Sequence, residues 1–155
     1  MLTMSNTNYP TLNFPPIHLR ARRGQNGRTE VFDAARGRWL VLTPEEWVRR
    51  HVVEHLRTSC GFTPQQIIEE YPVEINGMAQ RADIVVVDSL GKNFVVVECK
   101  EPKVKIDNVV LAQAIRYNSI LGCRHIVITN GLSTYCYDMS DDGKYTPSNH
   151  FPTAK

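Results

Sequence analysis

The chain has 155 residues, with 18 lysines and arginines against 16 aspartates and glutamates, and 42% of its residues are hydrophobic. This length suits one globular domain, and no stretch approaches the roughly 20 apolar residues of a membrane-spanning helix, so the sequence predicts a soluble protein without a membrane partner. The net charge of +2 is too small to indicate a nucleic-acid partner, because phosphate binding depends on local cation density rather than on the total.

Residues 1–10 are polar and lack the apolar core of a secretory signal, which favours a cytoplasmic location. Cysteines in a reducing compartment remain free thiols, and their spacing contains no C-x-x-C pair that would indicate a structural zinc site. The four cysteines are Cys60, Cys99, Cys123 and Cys136.

Residues 1–29 are rich in Pro, Asn, Thr and Gly and show no apolar period, which predicts an irregular arm in front of a single domain over residues 30–155. Six arginines are crowded ahead of the first predicted helix, and such a run indicates either a solvated segment or a DNA-contacting one. They are Arg20, Arg22, Arg23, Arg28, Arg36 and Arg38.

A β-hairpin is predicted where the apolar residues 31–32 and 39–42 flank a polar segment. Thr43 as N-cap, Pro44 at the first helical position and Glu46 as the partner of a capping box then predict the start of a helix. Apolar residues at helical spacing continue this helix to about residue 59, and Gly61 is placed to end it.

Strands are predicted over residues 67–75 and 78–87, joined by Asn76 and Gly77, a strong signal for a two-residue hairpin turn. A third strand is expected at residues 94–97, and the second and third runs are apolar on both faces, which is typical of covered central strands. A second amphipathic helix over residues 105–121 ends at Gly122, followed by a strand at 126–129 and an edge strand at 134–139. These elements predict an α/β fold.

The residues best suited to chemistry are Asp83, Glu98 and Lys100. Asp83 begins one apolar run and Glu98 ends the next, so in an antiparallel pair both carboxylates reach the same end of the sheet. Buried charges are costly unless they are paired or bind a metal, and two carboxylates with the backbone carbonyl of Cys99 suit Mg²⁺. If such a site hydrolyses a phosphodiester, Lys100 would hold or help deprotonate the attacking water and contact the phosphate that is cleaved. A structural ion pair between Lys100 and one of the two acids is the alternative.

Four segments together resemble the PD-(D/E)XK nuclease core, and more narrowly the N-terminal nuclease domain of type I restriction enzyme R subunits and of stand-alone proteins that carry it. They are residues 44–49 (PEEWVR), 81–86 (RADIVV), 96–100 (VVECK) and 113–118 (QAIRYN). The resemblance runs over residues 31–138. It implies a restriction-endonuclease-like core, with a central mixed β-sheet flanked by helices, and a Mg²⁺-dependent DNA endonuclease for which Mn²⁺ substitutes.

The resemblance also implies a role for each matched residue. Asp83 and Glu98 match the metal-binding acids, and Lys100 matches the catalytic lysine. Glu46 matches an acid on the first helix that assists a metal or a water, which competes with its capping role. Glu70 occupies a position where relatives often have an acid.

Gln113 and Tyr117 match the Q-x-x-x-Y pattern of the same nucleases. Four residues apart, they lie on one helix face, where they would orient the Lys100 amine or a DNA phosphate, unless Tyr117 only belongs to the core. Cations placed around these segments are expected to contact DNA. They are Arg49, Arg81, Lys103 and Arg116.

The sequence contains no G-x-x-x-x-G-K phosphate loop, so we expect that it does not translocate DNA unaided. Its expected partners are DNA and either other restriction-system subunits or a separate helicase, and cutting both strands with one site per chain favours a homodimer or transient pairing. Two alternatives remain open. One is a non-catalytic DNA- or protein-binding module on the same fold. The other is a zinc metalloprotease, because His51, Glu54 and His55 match H-x-x-E-H.

Overall fold

The computed structural model describes residues 8–154, which form two β-sheets and two α-helices. The smaller sheet is antiparallel, in the order β1 (Ala21–Arg23), β2 (Thr29–Asp33) and β3 (Arg38–Val41). The pair β2 and β3 is the predicted hairpin, in which Phe32 lies opposite Trp39.

Helix α1 (Pro44–Thr58) follows the hairpin directly. The Thr43 side chain accepts a hydrogen bond from the backbone N–H of Glu46, and Pro44 fills the first helical position, where no N–H is needed. The Glu46 carboxylate is engaged in ion pairs with Arg49 and Arg50. The N-cap prediction is therefore confirmed, while the Glu46 side chain serves a different purpose.

The larger sheet is mixed, because β6 and β7 run parallel while every other neighbouring pair is antiparallel. Asn76 and Gly77 both have positive φ, as the predicted turn between β4 and β5 requires. The strands lie in chain order as β4 (Ile67–Ile75), β5 (Met78–Val87), β6 (Asn93–Cys99), β7 (His125–Thr129), β8 (Thr134–Met139) and β9 (Tyr145–Ser148).

Two details of this sheet differ from the prediction. Strand β8 is not the edge, since β9 pairs with it and supplies the edge, where Pro147 is tolerated because its missing N–H costs no ladder bond. Helix α2 (Asn108–Leu121) begins three residues later than predicted, because the Asp107 side chain accepts from the N–H groups of Val109 and Val110 and so caps it. The helix ends at Gly122, whose φ is 69°.

The central strands are apolar on both faces because each face is covered by one helix. Val48, Val52 and Leu56 of α1 pack on one side. Ala114 and Leu121 of α2 pack on the other. This layering places the carboxyl end of β6 and the start of α1 beside each other, where the candidate site lies. Neither helix in residues 8–154 is long and apolar enough to cross a membrane.

The irregular arm predicted over residues 1–29 is corrected for the part that the structure describes. Leu12 and Ile17 are buried, Pro10 accepts a hydrogen bond from the Trp47 indole N–H at 2.9 Å, and β1 extends the small sheet. Order thus begins well before residue 30. The anchoring residues are too widely spaced among prolines and polar residues to show a periodic pattern. Residues 1–7 lie outside the described residues.

Candidate active site

Asp83 and Glu98 lie together at one end of the large sheet. Strands β5 and β6 are antiparallel with Ile84 opposite Val97, so Asp83 and Glu98 form the next opposed pair. The Cys99 N–H donates to Asp83 Oδ2 at 2.7 Å, and the Asp83 N–H lies 3.5 Å from Glu98 Oε1. Two carboxylates on neighbouring strands are thereby held against each other.

Glu98 is only 4% exposed. Burial first, and the negative charge of Asp83 second, raise the pKa of Glu98 to about 9. The Cys99 side chain is buried with the α1 face, and burial raises the pKa of its thiol well above the usual value. Any ligand role of Cys99 therefore falls to its backbone carbonyl rather than to a thiolate.

The first helix contributes Glu45 to this site rather than Glu46. Burial and, after it, the charge of Asp83 raise the pKa of Glu45, and the Glu45 charge in turn raises that of Glu98. Glu46 faces the other way, with its carboxylate 2.9 Å from Arg49 Nη1 and 3.2 Å from Arg50 Nε. The sequence resemblance assigned the helix acid to Glu46, whereas the acid that lies at the site is the preceding residue, Glu45.

Arg49 is a structural counter-ion and not the exposed DNA contact that the sequence indicates. Its side chain is 7% exposed, its Nη2 lies 3.1 Å from Asp83 Oδ1 and its Nη1 lies 3.5 Å from Glu70 Oε1. Burial alone would lower the pKa of Arg49, but the surrounding carboxylates, Glu46 foremost, outweigh it and raise that pKa. The guanidinium therefore stays charged and holds α1 against β4 and β5.

A buried ionic network continues from Arg49 into the protein. Arg50 pairs with Glu69, which lies on β4, and with Asp33 of β2, and Arg36 pairs with both of these acids. Breaking one member of such a network leaves a buried charge without compensation. The network ties the small sheet, α1 and β4 together behind the site.

Glu70 adopts a left-handed backbone conformation inside β4, with a φ of 51°. This conformation is costly for a residue with a Cβ. Its carboxylate lies 3.2 Å from Arg81 Nη1 and 4.0 Å from Arg38 Nη2, both exposed cations. Glu70 thus links the exposed cations Arg38 and Arg81 to the buried Arg49.

Lys100 lies two residues after Glu98, immediately beyond the end of β6. Its backbone N–H donates to the Thr129 carbonyl at 2.8 Å. Its positive charge lowers the pKa values of Glu98 and Glu45, against the larger effects of burial and of Asp83. The E-x-K spacing predicts that Lys100 points to the same side of the strand as Glu98, and the effect of its charge on both acids agrees with this prediction.

Gln113 and Tyr117 contact each other on one face of α2, with Gln113 Nε2 3.2 Å from the Tyr117 hydroxyl. Tyr117 is buried against the sheet, and burial first raises its pKa, with smaller contributions from Glu98 and Asp83. The charges of both acids thus act on the phenol. Lys103 and Arg116 are exposed, as a DNA-contacting role requires.

The residues present fit a hard divalent cation. Burial first, and the charge of Asp83 second, raise the pKa values of Glu45 and Glu98, and a bound cation would oppose both effects by favouring the ionised carboxylates. Among residues 8–154 no three His, Cys, Asp or Glu side chains form a ready cluster of ligands. Mg²⁺ does not need one, because it is usually held by one or two carboxylates and keeps several waters.

The H-x-x-E-H motif does not form a zinc site. His51 Nδ1 lies 2.8 Å from the Trp47 carbonyl, and the His51 ring packs on the Trp47 ring. The His55 ring lies between those of Phe14 and Phe151. Both histidines are thus part of the packing of α1, and the metalloprotease alternative finds no support in the geometry.

Residues 44–152, more than half of the chain, match the family model described as the N terminus of the type I restriction enzyme R protein. The chain belongs to this family. The resemblance predicted from the four motifs is thereby confirmed. The three-stranded sheet lies ahead of the matched residues, so the family match does not cover it. Comparison with curated protein sequences found no significant match.

The structure is similar to the fragment structure of a putative HsdR subunit of a type I restriction enzyme from Vibrio vulnificus YJ016. The TM-score is 0.54 at 24% sequence identity, and the likeness covers 72% of this chain and 24% of that chain. At this identity the likeness concerns the fold, and it confirms the restriction-endonuclease-like α/β core. The chain spans about a quarter of the length of that relative.

Proposed function

We propose that the chain is a Mg²⁺-dependent deoxyribonuclease that hydrolyses DNA phosphodiester bonds at Asp83, Glu98 and Lys100. The observation that carries the proposal is the meeting of Asp83 and Glu98 from antiparallel strands, with Glu98 buried and its pKa raised to about 9. Burial and the charge of Asp83 hold Glu98 protonated at neutral pH in the metal-free protein. A bound cation would favour its ionised form, which suits a site completed by a metal and a phosphate.

Mg²⁺ would be held by Asp83, Glu98 and the backbone carbonyl of Cys99, with Mn²⁺ as a substitute. When bound, it supplies an acidified water and neutralises charge that develops on the phosphate. Glu45 is close enough to Asp83 to orient a metal-bound water through its carboxylate.

The chain's own residues perform the remaining work. Lys100 places an ammonium group where the attacking water and a phosphate oxygen meet the acids, so it holds the nucleophile and offsets developing charge. Tyr117 and Gln113 form one hydrogen-bonded pair beside them, and they position the substrate or the Lys100 amine. Arg81, Lys103 and Arg116 supply exposed cations for the DNA backbone.

The proposed setting is a restriction system in the cytoplasm. Family membership supports this setting. Other restriction subunits or a separate helicase would supply the motor, and a homodimer or transient pairing of chains would cut both strands of a duplex.

A second candidate is a DNA- or protein-binding module without catalysis on the same fold. The ion pair between Arg49 and Asp83 favours it, because the guanidinium already occupies one oxygen of an acid that the metal needs. In this case Asp83 serves only to anchor α1.

The test is a cleavage assay on single-stranded, double-stranded and branched DNA with Mg²⁺, Mn²⁺ or a chelator. Glu98→Gln is the decisive variant, and Glu74→Gln, an exposed acid on β4, is its matched control. Metal-dependent cleavage that only Glu98→Gln abolishes supports the proposal. Cleavage retained in Glu98→Gln would overturn it. DNA binding with neither cleavage nor calorimetric binding of Mg²⁺ would favour the binding module.

A further inference from the structure

The outer face of the small sheet combines aromatic rings with arginines. We call it the aromatic–arginine face and define it by Arg20, Arg22, Phe32 and Trp39. Val31, next to Phe32 in β2, is fully buried on the inner side, so Phe32 points outward by strand alternation. Both aromatic rings are half-buried, and both arginines are exposed.

Each guanidinium on this face lies over an aromatic ring. The Phe32 and Trp39 rings are 5.3 Å apart. Arg22 lies 4.2 Å from the Trp39 ring centroid, and Arg20 lies 5.0 and 5.4 Å from those of Phe32 and Trp39. Cations within about 6 Å of a ring are attracted to it. The result is a surface of rings and guanidinium groups carried by the small sheet, in which the two rings are tilted by 56° to each other.

Positive charge continues along one edge of this face. Arg23, at the end of β1, and Arg28, in the loop between β1 and β2, are both exposed. Together with Arg22 they line a concavity with a volume of about 440 Å³. The acid in this concavity is Glu30, which pairs with Arg22 at 2.7 Å and leaves the other two arginines to bind an anion.

The opposite side of the small sheet leads toward the candidate active site, because Arg38 points away from Trp39 by strand alternation. Arg38 is the neighbour of Trp39 in β3, and its guanidinium lies 4.0 Å from Glu70. Glu70 contacts Arg81 on the exposed side and Arg49 beneath, and Arg49 contacts Asp83.

We propose that the aromatic–arginine face binds single-stranded DNA. Bases stack on Trp39 and on the Arg22 plane, while Arg23 and Arg28 bind phosphates. Flat aromatic and guanidinium surfaces recognise unpaired bases, whose faces a duplex hides. The inference rests on the proposed function, which it deepens by naming the substrate class.

The test is a binding titration in the Glu98→Gln background without divalent metal, so that cleavage plays no part. Labelled single-stranded and duplex oligonucleotides of equal length are compared by fluorescence anisotropy. The single strand should bind more tightly. Trp39→Ala should weaken its binding by about tenfold or more, and Trp39→Phe, which keeps a ring, should retain most of the affinity.

Arg22→Gln has a matched control in Arg124→Gln. Both arginines are about half exposed, at 50% and 53%, and each pairs with one acid at 2.7 or 2.6 Å. Only Arg22→Gln should weaken binding, because it removes the guanidinium plane on which a base stacks.

Equal binding by Trp39→Ala and Trp39→Phe would overturn the inference, as would a preference for the duplex. Ring-dependent binding without any cleavage by the unmodified protein would leave this surface in place and remove the proposed nuclease activity. Cleavage by the unmodified protein, together with DNA binding that does not depend on the Trp39 ring, would support the nuclease activity and remove the proposed binding surface.

Discussion

Arg49 Nη2 lies 3.1 Å from Asp83 Oδ1, and the same guanidinium lies 2.9 Å from Glu46. The arginine thus compensates an acid of the candidate metal site and an acid of the buried network at once. Asp83 receives one positive charge from the protein and, in the proposed function, a second from Mg²⁺. The stability of the domain and its affinity for a metal should therefore be linked through Arg49.

Replacing Arg49 by methionine should expose this link. Without the guanidinium, Asp83 and Glu46 lose a buried partner, which should lower the free energy of unfolding by about 3 kcal/mol in the absence of metal. Mg²⁺ should then stabilise the variant more than the unmodified protein, because more negative charge awaits compensation. Urea unfolding with and without Mg²⁺ measures both effects.

Arg57→Met is the control for this experiment, since Arg57 lies on the same helix, is about half exposed and pairs with Glu54. It should change the free energy of unfolding by less than about 1 kcal/mol and respond to Mg²⁺ as the unmodified protein does. A response to Mg²⁺ that is equal in all three proteins would contradict the proposed link.

The two neighbouring acids of α1 should have opposite phenotypes. Glu45→Gln removes negative charge beside Asp83 and should weaken Mg²⁺ binding and cleavage while leaving stability nearly unchanged. Glu46→Gln removes a partner of Arg49 and Arg50 and should lower the free energy of unfolding by about 3 kcal/mol. Calorimetry with Mg²⁺ and urea unfolding of the two variants distinguish them. Loss of metal binding in Glu46→Gln alone would return the catalytic role to Glu46.

Lys100→Ala should preserve the fold and reduce cleavage by about 10² or more, because the side chain faces the acids without belonging to the core. Cleavage rates under saturating Mg²⁺, together with the midpoint of thermal unfolding, test this. Lys92→Ala is the control, since Lys92 precedes β6 at the strand's opposite end. Equal rates in the two variants would remove Lys100 from the mechanism.

The sequence predicted the sheet and the meeting of the acids well because these features follow from local rules. Asn76 and Gly77 determine the register of β4 and β5, and the period of two along the strands determines where Asp83 falls. The same holds for α1 and for the end of α2 at Gly122, whose caps are short-range contacts. These parts of the fold need no knowledge of distant residues.

What the sequence did not predict depends on contacts between distant segments. Glu45 precedes Val48 by three residues and Val52 by seven, so its helical position indicates the stripe that faces the sheet. That signal was available, but the match to a motif pointed to Glu46. The pairing of Arg49 with Asp83 and the burial of Leu12 had no such signal, because they bring together residues with no periodic relation to each other.

His55 provides a test that is independent of the active site. Its ring packs edge-on against Phe14 and Phe151, at centroid distances of 5.4 and 4.8 Å, and its Nδ1 is buried with no hydrogen-bond partner among residues 8–154. Burial lowers the pKa of His55, and it also lowers that of His51, where the Trp47 carbonyl opposes the effect. The folded protein therefore prefers both imidazoles neutral.

The pH dependence of stability follows from the sign of these shifts. The unfolded chain binds protons at these histidines near pH 6.5, before the folded protein does, so the free energy of unfolding should fall as the pH drops below about 6.5. His55→Phe removes one of the two titrating groups and the unpaired nitrogen, and it keeps an aromatic ring between Phe14 and Phe151. The variant should lose less stability than the unmodified protein between pH 8 and pH 5. Urea unfolding at both pH values measures this difference, in which the contributions of all other titrating groups cancel. Parallel stability profiles would show that the folded protein protonates His55 as readily as the unfolded chain does.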